Sequence, residues 1–181
     1  NWESALWPNF TFDSAKIEPL EAKFLQGSGV LLGACKHLDG AEKTSLTIAL
    51  ISEEALKTSE IEGEYLNRDS LQSSIRRQFG LQADPGVASP AEQGIAELMV
   101  SVYETWREPL SHETLWRWQS LLAKGRTDLV DVGRYRTHPA PMQVISGAVH
   151  QPRVHFEAPP STIVYREMQA FIDWFNGSAP G

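Results

Sequence analysis

Apolar residues recur at three- and four-residue spacings along most of the chain, a pattern typical of amphipathic helices. The first such run predicts a helix that is capped by Asp13 or Ser14 and reaches about Leu38. Its apolar face carries Ile17, Leu20, Phe24, Leu31 and Leu32. Gly27 and Gly29 lie in the middle of this helix, where we expect them to allow close packing against another helix.

Two more helices are predicted in the first half of the chain. One runs from about Glu42 into the acidic segment 58–64. Its apolar positions are Leu46, Ile48, Ala49, Leu50, Ala55 and Leu56. The next begins at a cap formed by Asn67 or Asp69 and runs through Phe79. Leu71 and Ile75 form its apolar face, and Arg76 and Arg77 are expected to be exposed.

The clearest helix start is Ser89–Glu92, because Ser89 and Glu92 form a capping-box pair around a proline at the first helical position. We expect this helix to reach about Trp106, ahead of Pro109. Ser111 begins another helix. Its predicted inward residues are Leu115, Trp118, Leu121 and Leu122.

The pattern changes after Gly133. Two short β-prone segments, 143–146 and 153–156, are separated by a turn-forming stretch, which predicts a hairpin in an otherwise helical protein. A last helix follows Ser161 and ends near Asn176. Its shared face is Val164, Met168, Phe171, Ile172 and Phe175. The predicted fold class is therefore mainly α, a helical N-terminal domain followed by a helical core with a β-hairpin.

The best internal boundary is the segment 83–86, because proline and glycine together discourage both helix and strand. It divides the chain into the parts 1–84 and 85–181. With 181 residues, of which 41% are hydrophobic, the chain can form one domain or two small domains with a shared core.

Composition narrows the classes of partner. The formal net charge of −7 opposes attraction to phosphate backbones, which argues against a nucleic-acid partner. The single cysteine, Cys35, excludes an intrachain disulfide and fits a reducing compartment. No apolar run approaches the roughly 18 residues that span a bilayer. We therefore expect a soluble, cytoplasmic protein without a membrane partner.

Side chains with typical catalytic or metal-binding spacing are scarce. The five histidines show no His-Glu-x-x-His spacing, and Cys35 has no cysteine partner, so no protein-built metal site is predicted. Cys35 also lacks a base fixed nearby in sequence. We expect it to be a partly buried structural thiol.

Three carboxylates crowd at a predicted helix end in the segment 58–64. One interpretation is a solvated helix terminus in which Gly63 turns the chain. Another is an acid–base pair for sugar hydrolysis, but residues two apart on a helix point about 200° apart. Only one of Glu60 and Glu62 can face a given pocket, which favours a function in which a single carboxylate acts.

In this segment Thr58, Glu62 and Gly63 match Ser/Thr-x-x-x-Glu-Gly/Asn, so it resembles the inhibitory-helix motif of Fic-domain proteins. Further likeness is to bacterial Fic proteins that carry a helical domain of unknown function before the Fic core. It is carried by the segments 7–13, 73–77, 141–147 and 154–160, in the family's order. The family's catalytic signature, His-x-Phe-x-Asp/Glu-Gly-Asn-Gly-Arg-x-x-Arg, is missing, so the chain resembles the front half of such an enzyme.

The resemblance implies a self-inhibited protein adenylyltransferase, in which residues 1–84 hold the regulatory helices and 85–181 begin the Fic core. Glu62 would pair with the last arginine of the missing signature and occupy the space of the γ-phosphate of ATP. The hairpin would be a flap that docks the target segment by main-chain pairing. Its candidate residues are Val144, Ile145, Val154 and His155. Arg134 and Arg136 match the family's segment before the flap. There they could either form structural ion pairs or contact the substrate.

The resemblance further implies that the complete protein binds ATP and Mg²⁺ and transfers AMP to a protein substrate with a Ser, Thr or Tyr hydroxyl. This chain alone would bind neither ATP nor Mg²⁺ and would be inactive. Whether it forms a homodimer is an open question at this point. A different class is a non-catalytic helical interaction module, for instance an antitoxin-like inhibitor that inserts Glu62 into a separate Fic protein. A generic helical scaffold is the third hypothesis.

Overall fold

The computed structural model describes residues 4–6, 11–83, 86, 88–148 and 150–178. Over these residues six helices and one hairpin confirm the predicted mainly α class. The helices are α1 Ser14–Cys35, α2 Gly40–Ile61, α3 Arg68–Gln78, α4 Pro90–Thr105, α5 His112–Leu122 and α6 Ser161–Ser178. The strands are β1 Gln143–Ser146 and β2 Arg153–Glu157. The predicted boundary residues Asp84 and Pro85 and the stretch 7–10 lie outside the described residues.

The chain divides into two compact units, Asn1–Thr47 and Ile48–Gly181. In the first unit, Asp13 caps α1 by accepting the N–H of Ala15 at 3.2 Å, as predicted. No residue of α1 is buried, so its predicted apolar face is exposed. A Cβ added at Gly27 or Gly29 would meet no atom within 4 Å, so the expected close helix packing at these glycines is wrong. Cys35 is half-buried, as expected.

The second unit has its core between α2, α3 and α4. The buried apolar residues of this core are Ile48, Ile51, Ala55, Leu71, Ile75, Ala96 and Val100. In α2 they follow i, i+3 and i+7, so a single stripe faces the core and Leu50, which lies off that stripe, is exposed. Both α3, which precedes the predicted boundary at 84/85, and α4, which follows it, contribute residues to this core. One hydrophobic core is therefore shared by the two sides of that boundary.

Local capping contacts explain where the helices start. The Asn67 side chain accepts the N–H of Ser70 at 3.0 Å, and the capping box of Ser89 and Glu92 forms as predicted. The start predicted at Glu42 is two residues late. Asp39 and Glu42 exchange reciprocal side-chain to backbone bonds of 2.8 and 2.9 Å, which begins α2 at Gly40.

Close contact between α4 and α5 depends on Gly94. A Cβ at this position would overlap the carbonyl oxygen of Leu121 and lie 2.9 Å from the Cβ of Lys124. Lys124 also pairs with Glu97 of α4 at 2.5 Å. Leu122 is 58% exposed, so its predicted inward position is wrong. Leu122 is the last residue of α5.

The hairpin forms at the predicted place. The strands pair antiparallel, with Gln143 opposite Glu157 and Ser146 opposite Arg153, and a bulge interrupts the register. Gly147 takes a φ of 95° where β1 enters the turn, a conformation that favours glycine. Every strand residue is exposed except the half-buried Phe156. The strands therefore project from the helices and are held mainly at their base.

Candidate functional site

The acidic segment forms the C-terminal end of α2. The helix ends at Ile61, and Gly63 turns the chain with a φ of 81°. The N–H of Glu62 still bonds to the carbonyl of Thr58 at 3.3 Å, and the N–H of Glu64 bonds back to Ser59 at 2.8 Å. These bonds satisfy helix carbonyls that would otherwise lack a partner, so the glycine closes the helix in a defined geometry.

Thr58 and the acids Glu60 and Glu62 differ in their contacts. The Thr58 hydroxyl bonds within its own helix, to the Glu54 carboxylate at 3.3 Å. Glu60 pairs with Lys57 at 2.9 Å. Glu62 is exposed, and among the described residues no hydrogen bond or ion pair involves its carboxylate. Of Glu60 and Glu62, it is therefore Glu62 whose carboxylate has no ion-pair partner among the described residues.

Two large apolar side chains close to Glu62 in the chain are strongly exposed. Ile61 is 82% exposed and Tyr65 is 83% exposed. Both lie within three positions of Glu62 in the chain, so exposed apolar side chains and the exposed carboxylate occur in the same short segment. Sequence reasoning considered the acids of this segment and did not single out these two residues.

The predicted flap residues are all on the surface of the hairpin. Val144, Ile145 and Val154 are about half-exposed, and His155 lies at the bulge. His155 Nε2 and Ser146 Oγ are 2.6 Å apart, and the Gln143 amide donates to Glu157 at 2.6 Å. Each of these side-chain hydrogen bonds links a residue of β1 to a residue of β2. The hairpin is therefore a paired element with apolar side chains left uncovered.

Several hydrogen bonds close the base of the hairpin. The N–H of Ala158 bonds to the carbonyl of Met142 at 2.8 Å, one residue outside the paired strands. Arg136 donates from Nη2 to the carbonyl of Pro159, which ties the entering chain to the leaving chain. Its Nη1 is buried without a partner in the described structure. Arg134 instead pairs with Asp131 at 2.9 Å, which is a structural contact.

The segment that leads into the hairpin is fixed by Asp131 and Gln119. Asp131 accepts the N–H of Thr137 at 3.0 Å, and this bond, with the nearby charge of Arg134, holds the pKa of Asp131 below its ordinary value despite some desolvation. Gln119 of α5 accepts the N–H of Gly133 at 2.5 Å. The base of the hairpin is thus attached to α5.

A buried histidine that sequence reasoning passed over lies beside this base. His112 is 6% exposed and bonds through Nδ1 to the Tyr135 hydroxyl at 2.7 Å and through Nε2 to Gln169 at 2.9 Å. Its ring stacks on Tyr165, with centroids 4.1 Å apart. In the sequence His112 directly follows the Ser111 cap of an amphipathic helix, and this position is only a weak signal that the histidine is buried and hydrogen-bonded.

The side-chain hydrogen bond of Thr58 stays within α2, and that of His155 stays within the hairpin. The motif at the end of α2 and the hairpin each present their groups to solvent. Within the described part of the chain, no group of three or more His, Cys, Asp or Glu side chains could hold a metal ion. None of the described helices has the length and apolar character needed to cross a membrane.

Comparison with known proteins adds one finding. Residues 1–81 match a family described as a domain of unknown function (DUF4172). The matched part covers α1 to α3 and includes Thr58, Glu62 and Gly63, whereas α4 to α6 and the hairpin follow it. No curated protein matches the chain. The N-terminal part of this chain is therefore similar to a domain whose function is not established.

Proposed function

We propose that this chain is the N-terminal regulatory and target-docking part of a self-inhibited Fic protein that transfers AMP from ATP to protein hydroxyl groups. The observation that supports this most is the free, exposed carboxylate of Glu62 at a helix end closed by Gly63. A carboxylate that lies at a glycine-closed helix end and has no partner among the described residues can be presented to an arginine elsewhere.

The inhibition follows from elementary electrostatics. An arginine that forms a charge-assisted pair with Glu62 cannot donate the same N–H groups to a phosphate. The Glu62 carboxylate also repels the negative charge of the γ-phosphate. ATP would then bind weakly, or with its α-phosphate badly aligned for attack by a hydroxyl.

The hairpin supports the docking half of the proposal. An extended backbone at an exposed strand edge offers donors and acceptors to any peptide that lies beside it, without demanding one sequence. The exposed side chains of Val144, Ile145 and Val154 add apolar contact area next to that edge. Different hydroxyl-bearing segments could therefore be presented to the same reaction centre.

The proposal assigns no catalytic residue to this chain. Mg²⁺ needs several oxygen ligands, and the described residues contain no acidic cluster that fits it. In this proposal ATP and Mg²⁺ belong to the complete protein. There the metal would neutralise phosphate charge during transfer. The residues 58–63 act by occupying space and by withholding an arginine.

The experiment that tests the proposal is Glu62→Gly in the complete protein. Removal of the carboxylate frees the arginine for phosphate, so the rate of AMP transfer is expected to rise at least about tenfold, which corresponds to about 1.4 kcal/mol. The measurement is incorporation of labelled AMP from ATP. Because Glu62 lies outside α2, the glycine is not expected to break the helix.

Two variants serve as controls. Glu64→Gly removes the same charge on the other side of Gly63 and should leave the rate unchanged within about twofold. Glu62→Gln keeps the size of the side chain and removes its charge, so it should activate partly. An unchanged rate in Glu62→Gly, in a protein that does transfer AMP, would contradict inhibition by this residue.

A second candidate is a non-catalytic module that inhibits a separate Fic protein in trans. The strong exposure of Ile61 and Tyr65 beside Glu62 favours it, since a docking helix end needs apolar contact area as well as charge. In that case the isolated chain should slow AMP transfer by an active Fic protein that lacks its own inhibitory helix. The Glu62→Gly chain should not.

A further inference from the structure

The hydrogen-bond chain around His112 has a defined direction. The amide nitrogen of Gln169 donates to Asp173 at 2.8 Å, so its oxygen faces His112. The Nε2 of His112 must then be the donor of the 2.9 Å bond. In the neutral ring Nδ1 carries no hydrogen and accepts from the Tyr135 hydroxyl. The chain thus joins α6, α5 and the segment that precedes β1.

The groups around Tyr135 keep its hydroxyl a donor. Burial raises the pKa of Tyr135 above its ordinary value, and the nearby Tyr165 and Glu113 act in the same direction. The ring of Trp116 packs edge-on against Tyr135 with centroids 5.5 Å apart. A neutral phenol in this surrounding has its best acceptor in Nδ1 of His112, so the bond fixes the position of the Tyr135 ring.

The position of Tyr135 matters because the hairpin has little other support. All but one of its strand residues are exposed, and the bonds at its base join its two arms or reach the start of α6. The hydrogen bonds from this base to α5 include those of Gln119 with the segment 131–133 and that of His112 with Tyr135. The ring of Trp116, also on α5, packs against Tyr135 but makes no hydrogen bond that would set the direction of its hydroxyl. A change at the base is amplified at the tip of a projecting hairpin.

We propose that His112 is a positioning residue whose hydrogen bond to Tyr135 sets the direction in which the hairpin projects and so how it presents a target segment. The inference rests on the proposed function only for the role of the hairpin in docking. The geometry of the anchor can be tested without any AMP transfer.

The test compares Tyr135→Phe with Tyr165→Phe. Both remove one phenolic oxygen and keep an aromatic ring, but the Tyr135 hydroxyl bonds to His112, whereas Tyr165 contacts His112 through its ring. Spin labels at Ala148, near the hairpin tip, and at Glu104, on the exposed side of α4, report the distance between hairpin and core. Cys35 is replaced by serine in all samples.

Tyr135→Phe is expected to widen the distance distribution about twofold, whereas Tyr165→Phe leaves it unchanged. Equal distributions in the wild type and both variants would overturn the positioning role. The circular dichroism of each variant establishes that the helices persist, so that loss of the fold is not mistaken for movement of the hairpin.

In the complete protein the same two variants, Tyr135→Phe and Tyr165→Phe, distinguish loss of target positioning from a general loss of activity. Tyr135→Phe should raise KM for a hydroxyl-bearing target peptide roughly five- to tenfold, with kcat and KM for ATP unchanged. A loss confined to kcat, or shared equally by Tyr165→Phe, would overturn the inference. If the wild type transfers no AMP at all, the proposed function fails, and the spin-label distances still decide the role of His112.

Discussion

Replacing Gly94 by alanine is expected to lower the free energy of unfolding of the second unit by about 3 kcal/mol, which would lower Tm by about 10 °C. The added Cβ overlaps the carbonyl oxygen of Leu121 and crowds the Cβ of Lys124 at 2.9 Å. A backbone carbonyl cannot rotate out of the way as a side-chain end can. The contact between α4 and α5 must therefore open, and the Lys124–Glu97 ion pair is pulled apart with it.

Chemical unfolding followed by tryptophan fluorescence measures this loss, because Trp116 and Trp118 lie on α5. The matched control is Gly29→Ala in α1, where an added Cβ meets no atom within 4 Å. There alanine should raise helix propensity by roughly 1 kcal/mol and leave the second unit unaffected. Equal stability of Gly94→Ala and the wild type would mean that α4 and α5 do not approach this closely.

The second large effect is expected at Glu92, a buried carboxylate that caps two segments at once. One oxygen accepts the N–H of Ser89 at 2.8 Å, and the other accepts the N–H of Asn67 at 2.9 Å. Glu92→Ala leaves both donors without their charged acceptor and should cost about 3 kcal/mol. Glu92→Gln keeps one acceptor oxygen and should cost less, about 2 kcal/mol.

The stability that Glu92 contributes should depend on pH. Burial by itself raises the pKa of this carboxyl, but the hydrogen bonds from Ser89 and Asn67 outweigh burial, and the pKa lies below its ordinary value of 4.5. A lowered folded-state pKa stabilises the protein fully above the unfolded-state pKa. That contribution is lost as pH falls through the folded-state pKa.

The measurement is the free energy of unfolding of the wild type and Glu92→Gln from about pH 7 down to about pH 3. The difference between the two proteins should be largest at neutral pH and shrink in acid. Glu104→Gln, an exposed carboxyl on the same helix, should differ from the wild type by less than about 0.5 kcal/mol at every pH. A constant difference for Glu92→Gln would show that its charge is not what the two N–H groups require.

Much of the helical pattern was predictable because its signals are short-range. Ser89 and Glu92 lie three residues apart, and the helix start that they predict is where α4 begins. The hairpin was predictable for the same reason, since β-prone segments on either side of a turn pair with each other. The Asp39–Glu42 box was equally visible in the sequence, and its omission placed the start of α2 too late.

Burial was less predictable than helix position. The apolar pattern of α1 indicates a face suited to packing, yet none of its residues is buried. In α2 the sequence shows more apolar positions than the core accepts, and only the packing of α3 and α4 selects Ile48, Ile51 and Ala55. A hydrophobic residue on a helix can turn inward only where another element lies opposite.

The candidate site divides in the same way. The motif of Thr58, Glu62 and Gly63 lies within six consecutive residues, and so it was found from the sequence. That the Glu62 carboxylate has no partner among the described residues became known only from the structure. His112 and Gln169 are 57 residues apart, and no pattern of spacing connects them. Likewise, only the structure shows that the Glu92 carboxylate accepts the N–H of Asn67, 25 residues away, as well as the N–H of Ser89 at its own helix end.

Caps, turns and periodicity act between residues a few positions apart, so the mainly helical class, most of the helix starts, the hairpin and the acidic motif could be inferred from the sequence. Tertiary structure decided which apolar stripe is buried, that Gly94 must be glycine, and that His112 anchors the base of the hairpin. Those properties depend on atoms that meet only after the chain has folded, since close contacts and long-range hydrogen bonds leave no fixed spacing in the sequence.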